Sequence, residues 1–124
     1  MASILIIDDN QQVGTLMCRQ LERSGHRVEL AQDGAEGLRC FVSSSFDLII
    51  TDIVMPENDG LGAIRQIQAH SPGTKIIAVS GGGHRIGATD CLSLARHLGA
   101  RRTLEKPFDT RELVATVEQV LAEP

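Results

Sequence analysis

The chain has 124 residues, of which 42% are hydrophobic and 23% are charged, and its net charge is -4 at pH 7. This composition is typical of one globular domain, and the excess of 16 acidic over 12 basic residues argues against a nucleic-acid partner, which requires a basic face. Since the sequence has no apolar run near the ~18 residues of a membrane span and no basic signal-peptide start, we expect a cytoplasmic protein without a membrane partner.

Apolar runs and amphipathic stretches alternate along the chain. The predicted strands are residues 3–7, 27–31, 46–51, 74–80 and 101–105. The predicted helices, each with one apolar stripe, are residues 11–23, 34–43, 60–70, 87–98 and 110–122. Five strand–helix repeats predict a parallel sheet between two layers of helices, with the second and fifth strands at the edges. Because the repeats use the whole chain, we expect a single domain over residues 1–124 with no output domain.

Helix boundaries carry recognisable signals. Glycines that suit left-handed caps or tight turns follow three of the helices, at Gly25, Gly73 and Gly99. Acidic residues with Gln or Glu three positions later resemble capping pairs: Asp9 with Gln12, Asp33 with Glu36, and Asp109 with Glu112. For the last two pairs the prediction is structural capping alone, whereas Asp9 is a candidate for a second role.

Polar residues follow four of the strands at their carboxyl ends. Asp8 and Asp9 follow the first strand, Asp52 the third, Ser80 the fourth and Lys106 the fifth. Ligands of open parallel sheets bind beyond the carboxyl ends of the strands. The sequence therefore predicts that these five residues share one site.

Helix capping does not account for Asp52, because Pro56 and Gly60 delay the next helix by several residues. Three clustered carboxylates repel one another by about 4 kcal/mol per pair at ~4 Å and an effective dielectric near 20, so the site needs positive charge. Mg²⁺ suits oxygen ligands, and Lys106 adds an ammonium.

This arrangement suits phosphoryl transfer, which depends on positioning and charge stabilisation. Asp52 is the predicted nucleophile and would form an acyl phosphate. Ser80 would donate a hydrogen bond to the phosphoryl group and Lys106 would pair with it.

Four segments together resemble the receiver domain of bacterial two-component response regulators. They are "IIDDN", "LIITDIVMPENDG", the position of Ser80, and "LEKPF" at 104–108, and the resemblance runs from about residue 3 to residue 122. It implies a flavodoxin-like (βα)5 doubly wound parallel sheet with strand order 2-1-3-4-5 in a three-layer sandwich.

The resemblance also implies the roles of individual residues. Mg²⁺ would bind Asp8, Asp9, Asp52 and the backbone carbonyl of Val54. Asp52 would be phosphorylated by the phosphohistidine of a sensor histidine kinase or a histidine phosphotransfer protein. Lys106-Pro107 would be a cis peptide. Such a domain is a phosphoacceptor that assists its own phosphorylation and dephosphorylation rather than an enzyme.

Signalling in this family would proceed by a conformational change. Phosphorylation would draw Ser80 inward and reshape the face of the fourth helix, fifth strand and fifth helix, which a downstream protein would read. Thr103 occupies the switch position, where many receivers have an aromatic residue. The stretch from Ser80 to Lys106 is longer than usual in "SGGGHRIGATD", where we interpret His84 as an exposed polar residue. Val54 offers no acid or amide to orient water, so we expect slow self-dephosphorylation.

Three other functions share parts of this pattern. A haloacid-dehalogenase-type aspartyl phosphatase needs an acid two residues after its nucleophile, and Val54 stands there. A flavin or mononucleotide binder needs backbone amides in its first loop, whereas "DDNQQ" presents anions. A phosphorylation-independent adaptor with the same fold stays open as the alternative.

Overall fold

The structure is a computed structural model that describes residues 2–53, 59–80, 93 and 95–124. The strands are β1 Ser3–Ile7, β2 Arg27–Ala31, β3 Leu48–Asp52, β4 Ile76–Ser80 and β5 Arg102–Glu105. Helices within the described residues include α1 Gln11–Arg23, α2 Gly34–Ser43, α3 Asp59–His70 and the C-terminal helix Thr110–Ala122. Of the predicted helix at 87–98, residues 93 and 95–97 are helical and most others lie outside the described residues.

The five strands form one parallel sheet in the order β2-β1-β3-β4-β5. This confirms the predicted flavodoxin-like topology, with β2 and β5 at the edges. Every residue of β3 and β4 is buried, as expected for central strands covered on both faces. In the part of the chain that the structure describes, no helix is long and apolar enough to cross a membrane.

The core has two layers because side chains alternate across the sheet. On one face, Leu5, Ile7 and Ile49 pack with residues of α2 and α3. On the other face, Ile4 and Ile6 pack with residues of α1 and the C-terminal helix. Both clusters consist largely of Ile and Leu, so the sheet is a stiff support for whatever lies at its ends.

Two apolar residues that helical spacing places on the buried stripes of α1 and α2 are exposed instead. Leu16 of α1 is 56% exposed and Val42 of α2 is 54% exposed. In α1 the buried positions are Gly14, Met17 and Leu21 instead. Gly14 allows α1 to approach Leu30 closely, because a Cβ on Gly14 would lie 2.7 Å from the Leu30 side chain. The buried face of α1 is therefore rotated away from Leu16.

The N-cap of α1 is Asn10 rather than Asp9, so the predicted Asp9–Gln12 capping pair is wrong. The side chain of Asn10 accepts a hydrogen bond from the backbone N–H of Val13 at 3.2 Å, which leaves the Asp9 carboxylate available for another role. The other two predicted caps, Asp33 and Asp109, accept from Glu36 and Glu112 at 2.7 Å each.

Candidate functional site

Adjacent central strands bring the three aspartates together. Ile7 of β1 pairs with Thr51 of β3, so Asp8 and Asp52, each one residue further along its strand, share the carboxyl edge of the sheet. Each of Asp8, Asp9 and Asp52 offers a carboxylate oxygen, and these oxygens lie within 4.8 Å of one another. Asp8 and Asp52 are buried, whereas Asp9 is exposed. The group is thus open to solvent on the Asp9 side.

Lys106 spans the site from the edge of the sheet. Its Nζ donates hydrogen bonds to Oδ2 of Asp8 and to Oδ2 of Asp52, both at 3.0 Å. The Lys106–Pro107 peptide bond is cis, the geometry that the family resemblance implies. The backbone N–H of Lys106 donates to the carbonyl of Ser80 at 2.9 Å. Main chain and side chain of Lys106 therefore connect the end of β5 to β4, to β3 and to the end of β1.

The two carboxylates keep Lys106 charged. Burial acts to lower the pKa of Lys106, but attraction and hydrogen bonding to Asp52, followed by those to Asp8, outweigh it. The pKa of Lys106 consequently lies above the ordinary 10.5 of a lysine. An ammonium is therefore present at the site throughout the physiological range.

Asp8 is held by both of its oxygens. Oδ1 accepts the backbone N–H of Asn10 at 2.8 Å, and Oδ2 accepts from Lys106. Because Asn10 also caps α1, the same residue begins the helix and orients the carboxylate. Our sequence prediction missed this role, although the Asp-Asp-Asn order followed by a helix was the available signal.

Ser80 ends β4, and its hydroxyl is buried at the edge of the sheet. Its side chain is fully buried, and Oγ has no hydrogen-bond partner among the residues that the structure describes. Val79, the residue before it, pairs with Asp52, so Ser80 lies at the same edge of the sheet as the aspartates. A buried hydroxyl without a partner costs about 1–3 kcal/mol, and an incoming oxygen ligand could satisfy it.

Thr103 lies on β5 opposite Ala78 and is half-buried. Its neighbour Leu104 is buried in the core layer of α1 and the C-terminal helix, so Thr103 is on the opposite face of the sheet. The predictions for the carbonyl of Val54 and for His84 fall outside the described residues.

The residues present fit a magnesium ion. The three converging ligands are carboxylate oxygens, which are the ligands that Mg²⁺ prefers, and the exposed Asp9 leaves room for the waters that Mg²⁺ usually keeps. Nitrogen and sulfur ligands, which soft metals prefer, are absent from this group of three. The donor set is therefore that of a hard divalent cation.

Residues 4–118 match the response regulator receiver domain, and the chain belongs to that family. Among curated relatives, the DNA-binding transcriptional regulator NtrC of Azospirillum brasilense is 38% identical over 120 residues, covering 97% of this chain and 24% of the relative. The transcriptional regulatory protein CpxR of Escherichia coli (strain K12) is 33% identical over 122 residues, covering 98% and 50%. The chain thus spans a quarter to a half of these relatives.

Solved structures agree with this assignment. A response regulator receiver domain protein from Clostridium thermocellum matches with a TM-score of 0.88 and 32% identity, covering 98% of this chain and 94% of that chain. A CheY-like receiver domain protein from Methanospirillum hungatei JF-1 matches with a TM-score of 0.87 and 27% identity. The expectation of no nucleic-acid partner gains no support from the curated relatives, because NtrC and CpxR are named as transcriptional regulators.

Proposed function

We propose that this chain is a phosphoacceptor that receives a phosphoryl group on Asp52 from a histidine kinase or a histidine phosphotransfer protein. The observation that carries the proposal is the position of Lys106, whose ammonium lies 3.0 Å from both Asp8 and Asp52. A fixed cation beside a strand-end carboxylate is suited to stabilise the charge of an incoming phosphoryl group.

The transfer balances as a simple displacement. A carboxylate oxygen of Asp52 forms a bond to phosphorus while the phosphorus–nitrogen bond of the donor phosphohistidine breaks. The imidazole keeps the electron pair of that bond and takes up a proton from solvent, and the product is an acyl phosphate. Lys106 would pair with one phosphoryl oxygen, and the hydroxyl of Ser80 would donate to another.

Asp8, Asp9 and Asp52 are the residues that would hold Mg²⁺, with the carbonyl of Val54 as a further proposed ligand. The ion would neutralise the negative charge that gathers when a phosphoryl group approaches the aspartates. Asp8 is oriented for this role by Asn10. The Lys106 ammonium leaves a net negative charge on the three carboxylates, which attracts a dication.

Signalling by conformational change is part of the same proposal. Satisfying the hydroxyl of Ser80 with a phosphoryl oxygen would favour a rearrangement around β4 and β5. A downstream protein would read that change on the face formed by the fourth predicted helix, β5 and the C-terminal helix. Thr103, on β5, would replace the aromatic switch residue of many receivers. A cytoplasmic location stays a prediction.

Intact mass spectrometry tests the phosphoacceptor assignment. Incubation with Mg²⁺ and acetyl phosphate should add the mass of one phosphoryl group to the wild type, and Asp52→Asn should abolish the gain. Asp33→Asn is the matched control, because Asp33 is an exposed helix cap that Asn can replace. Absence of a mass gain in the folded wild type would favour the phosphorylation-independent adaptor instead.

A further inference from the structure

The first turn of α3 lies directly against the end of β3. A Cβ atom placed on Gly60 would lie 2.0 Å from the carbonyl oxygen of Asp52 and 2.6 Å from Cα of Ile53. Real Cβ atoms essentially never approach other atoms more closely than 3.0 Å. Both neighbours are backbone atoms and cannot rotate away, so a residue without a side chain is needed here.

We propose that Gly60 is a positioning residue for Asp52: its missing side chain lets α3 seat against the carbonyl of Asp52 and fixes where the carboxylate lies relative to Asp8 and Lys106. This inference rests on the proposed function of Asp52 as the phosphoacceptor. Gly60 itself would contact neither the phosphoryl group nor the metal.

Neither side of the contact can move freely. The end of β3 is held by its neighbour β4, where Ile53 N–H donates to the carbonyl of Val79 at 2.8 Å. On the other side, α3 is anchored by Ile64 and Ile67, which are both fully buried. An alanine at position 60 would require a relative shift of about 1 Å, the difference between 3.0 Å and 2.0 Å.

A shift of that size matters because the site is closely spaced. Asp52 lies 3.0 Å from the Lys106 ammonium, and its carboxylate oxygen is within 4.8 Å of those of Asp8 and Asp9. Misplacing a reacting group by about 1 Å can slow a reaction on the order of 100-fold.

Gly62 provides a matched control within the same helix. A Cβ atom there would meet nothing within 4 Å, so alanine should fit without displacement and should raise helix propensity. Gly14 and Gly37 are less suitable controls because a Cβ at either position would meet a flexible side chain, Leu30 or Ile7.

The experiment compares Gly60→Ala with Gly62→Ala. The first readout is the rate of phosphorylation by acetyl phosphate over a range of donor concentrations. The second is a Mg²⁺ titration without donor, in which NMR spectra monitor the backbone amide signals of Asp52 and Lys106. For Gly60→Ala we expect a maximal rate roughly 100-fold lower with little change in the KM for the donor. Mg²⁺ affinity should fall about 10-fold or more. Gly62→Ala should stay within about twofold of the wild type in maximal rate and in Mg²⁺ affinity.

The outcomes separate positioning from the proposed function. If the wild type accepts no phosphoryl group while Gly60→Ala still weakens Mg²⁺ binding and shifts the Asp52 amide signal, the phosphoacceptor proposal is wrong and the proposal that Gly60 positions Asp52 holds. If Gly60→Ala matches the wild type in phosphorylation rate and Mg²⁺ affinity, Gly60 does not position Asp52.

A simple loss of folded protein would lower the phosphorylated amount in proportion to the circular dichroism signal and leave the Mg²⁺ affinity of the folded fraction unchanged, which also overturns the proposal. If Gly60→Ala does not fold, the same measurements are made on Gly60→Ala/Gly62→Ala, where helix propensity is raised. Failure of that double variant to fold would assign Gly60 a purely structural role and overturn positioning.

Discussion

Lys106 is the residue on which the electrostatics of the site depend most directly. Its ammonium lies 3.0 Å from each of two buried carboxylates, one at the end of β3 and one directly after β1. Removing it would take the balancing positive charge away from the buried carboxylates of Asp8 and Asp52. Breaking a buried pair in this way is typically far more destabilising than losing a surface ion pair.

The pH dependence of stability should therefore change when Lys106 is replaced. Since the pKa of Lys106 is raised in the folded protein, its stabilising effect is fully present below the ordinary 10.5 and declines as pH rises through the higher folded value. We expect Lys106→Met to have a lower free energy of unfolding than the wild type at pH 8, and this difference should become smaller above pH 10.5. Urea unfolding at several pH values measures the difference.

If the difference in the free energy of unfolding stayed constant from pH 8 into the alkaline range, this prediction would be wrong. Cys18 also has a raised pKa and also weakens folding as pH rises. Because Cys18 is present in both proteins, the difference between them isolates Lys106.

Cys18 should react slowly with alkylating reagents. Burial, and secondarily the charge of Glu22, raise the pKa of Cys18 to about 11, so roughly one molecule in a thousand carries the thiolate at pH 8. We expect iodoacetamide to modify Cys18 about 100-fold more slowly than in the urea-unfolded protein. Peptide mass mapping after timed quenching measures the rate. Equal rates in folded and unfolded protein would show that the thiol is not shielded.

At the scale of elements, His26 joins the amino ends of β1 and β2 to the C-terminal helix. Its Nδ1 accepts the backbone N–H of Ala2 at 3.1 Å, and its Nε2 lies 2.7 Å from a carboxylate oxygen of Glu118. The ring is buried, and these partners assign the proton to Nε2. One side chain thus connects the start of β1, the start of β2 and the last helix.

Replacing His26 should destabilise the fold without altering phosphorylation. His26→Leu leaves the N–H of Ala2 and the carboxylate of Glu118 without this partner, and we expect a loss of about 1–3 kcal/mol in the free energy of unfolding. Glu118→Gln, which retains an acceptor for Nε2–H, should cost less. Urea midpoints measure both losses. A phosphorylation rate that fell in His26→Leu while the protein stayed folded would contradict a purely structural role.

The elements themselves were largely predictable, whereas their long-range connections were not. The bounds of α1, α2 and the C-terminal helix were predicted to the residue, because apolar periodicity and caps are local signals. β3 begins at Leu48 instead of residue 46. In that segment the Asp47 side chain accepts the N–H of Ser3, a contact that no local pattern reveals.

The candidate site was predictable for a topological reason. Parallel strands place their carboxyl ends together, so the order of Asp8, Asp52, Ser80 and Lys106 along the chain was sufficient to predict that they share one edge. The fit of Gly60 against Asp52 and the bond between His26 and Glu118, 92 residues apart, depend on three-dimensional packing. Neither leaves a periodic or local trace in the sequence.

For the whole molecule, a divalent ion bound by the cluster of carboxylates would add to stability. An ion that binds the folded protein and not the unfolded chain stabilises it by about 2.7 kcal/mol at 100 times its Kd. We expect Mg²⁺ to raise the melting temperature, and Asp9→Asn to reduce that increase because it removes one of the three converging negative charges. Thermal unfolding at matched ionic strength, with Asp33→Asn as control, measures the effect. An equal increase in Asp9→Asn and Asp33→Asn would exclude Asp9 from the ion-binding site.

The attachment of β5 at Lys106 has a mechanical consequence. This outermost strand is bonded to Ser80 through its main chain and to the centre of the sheet through one long side chain. A changed charge on Asp52 would therefore act directly on the position of the edge strand β5, while the packed interior keeps its arrangement. Such a domain could change what it displays to a partner without loosening the core that keeps it folded.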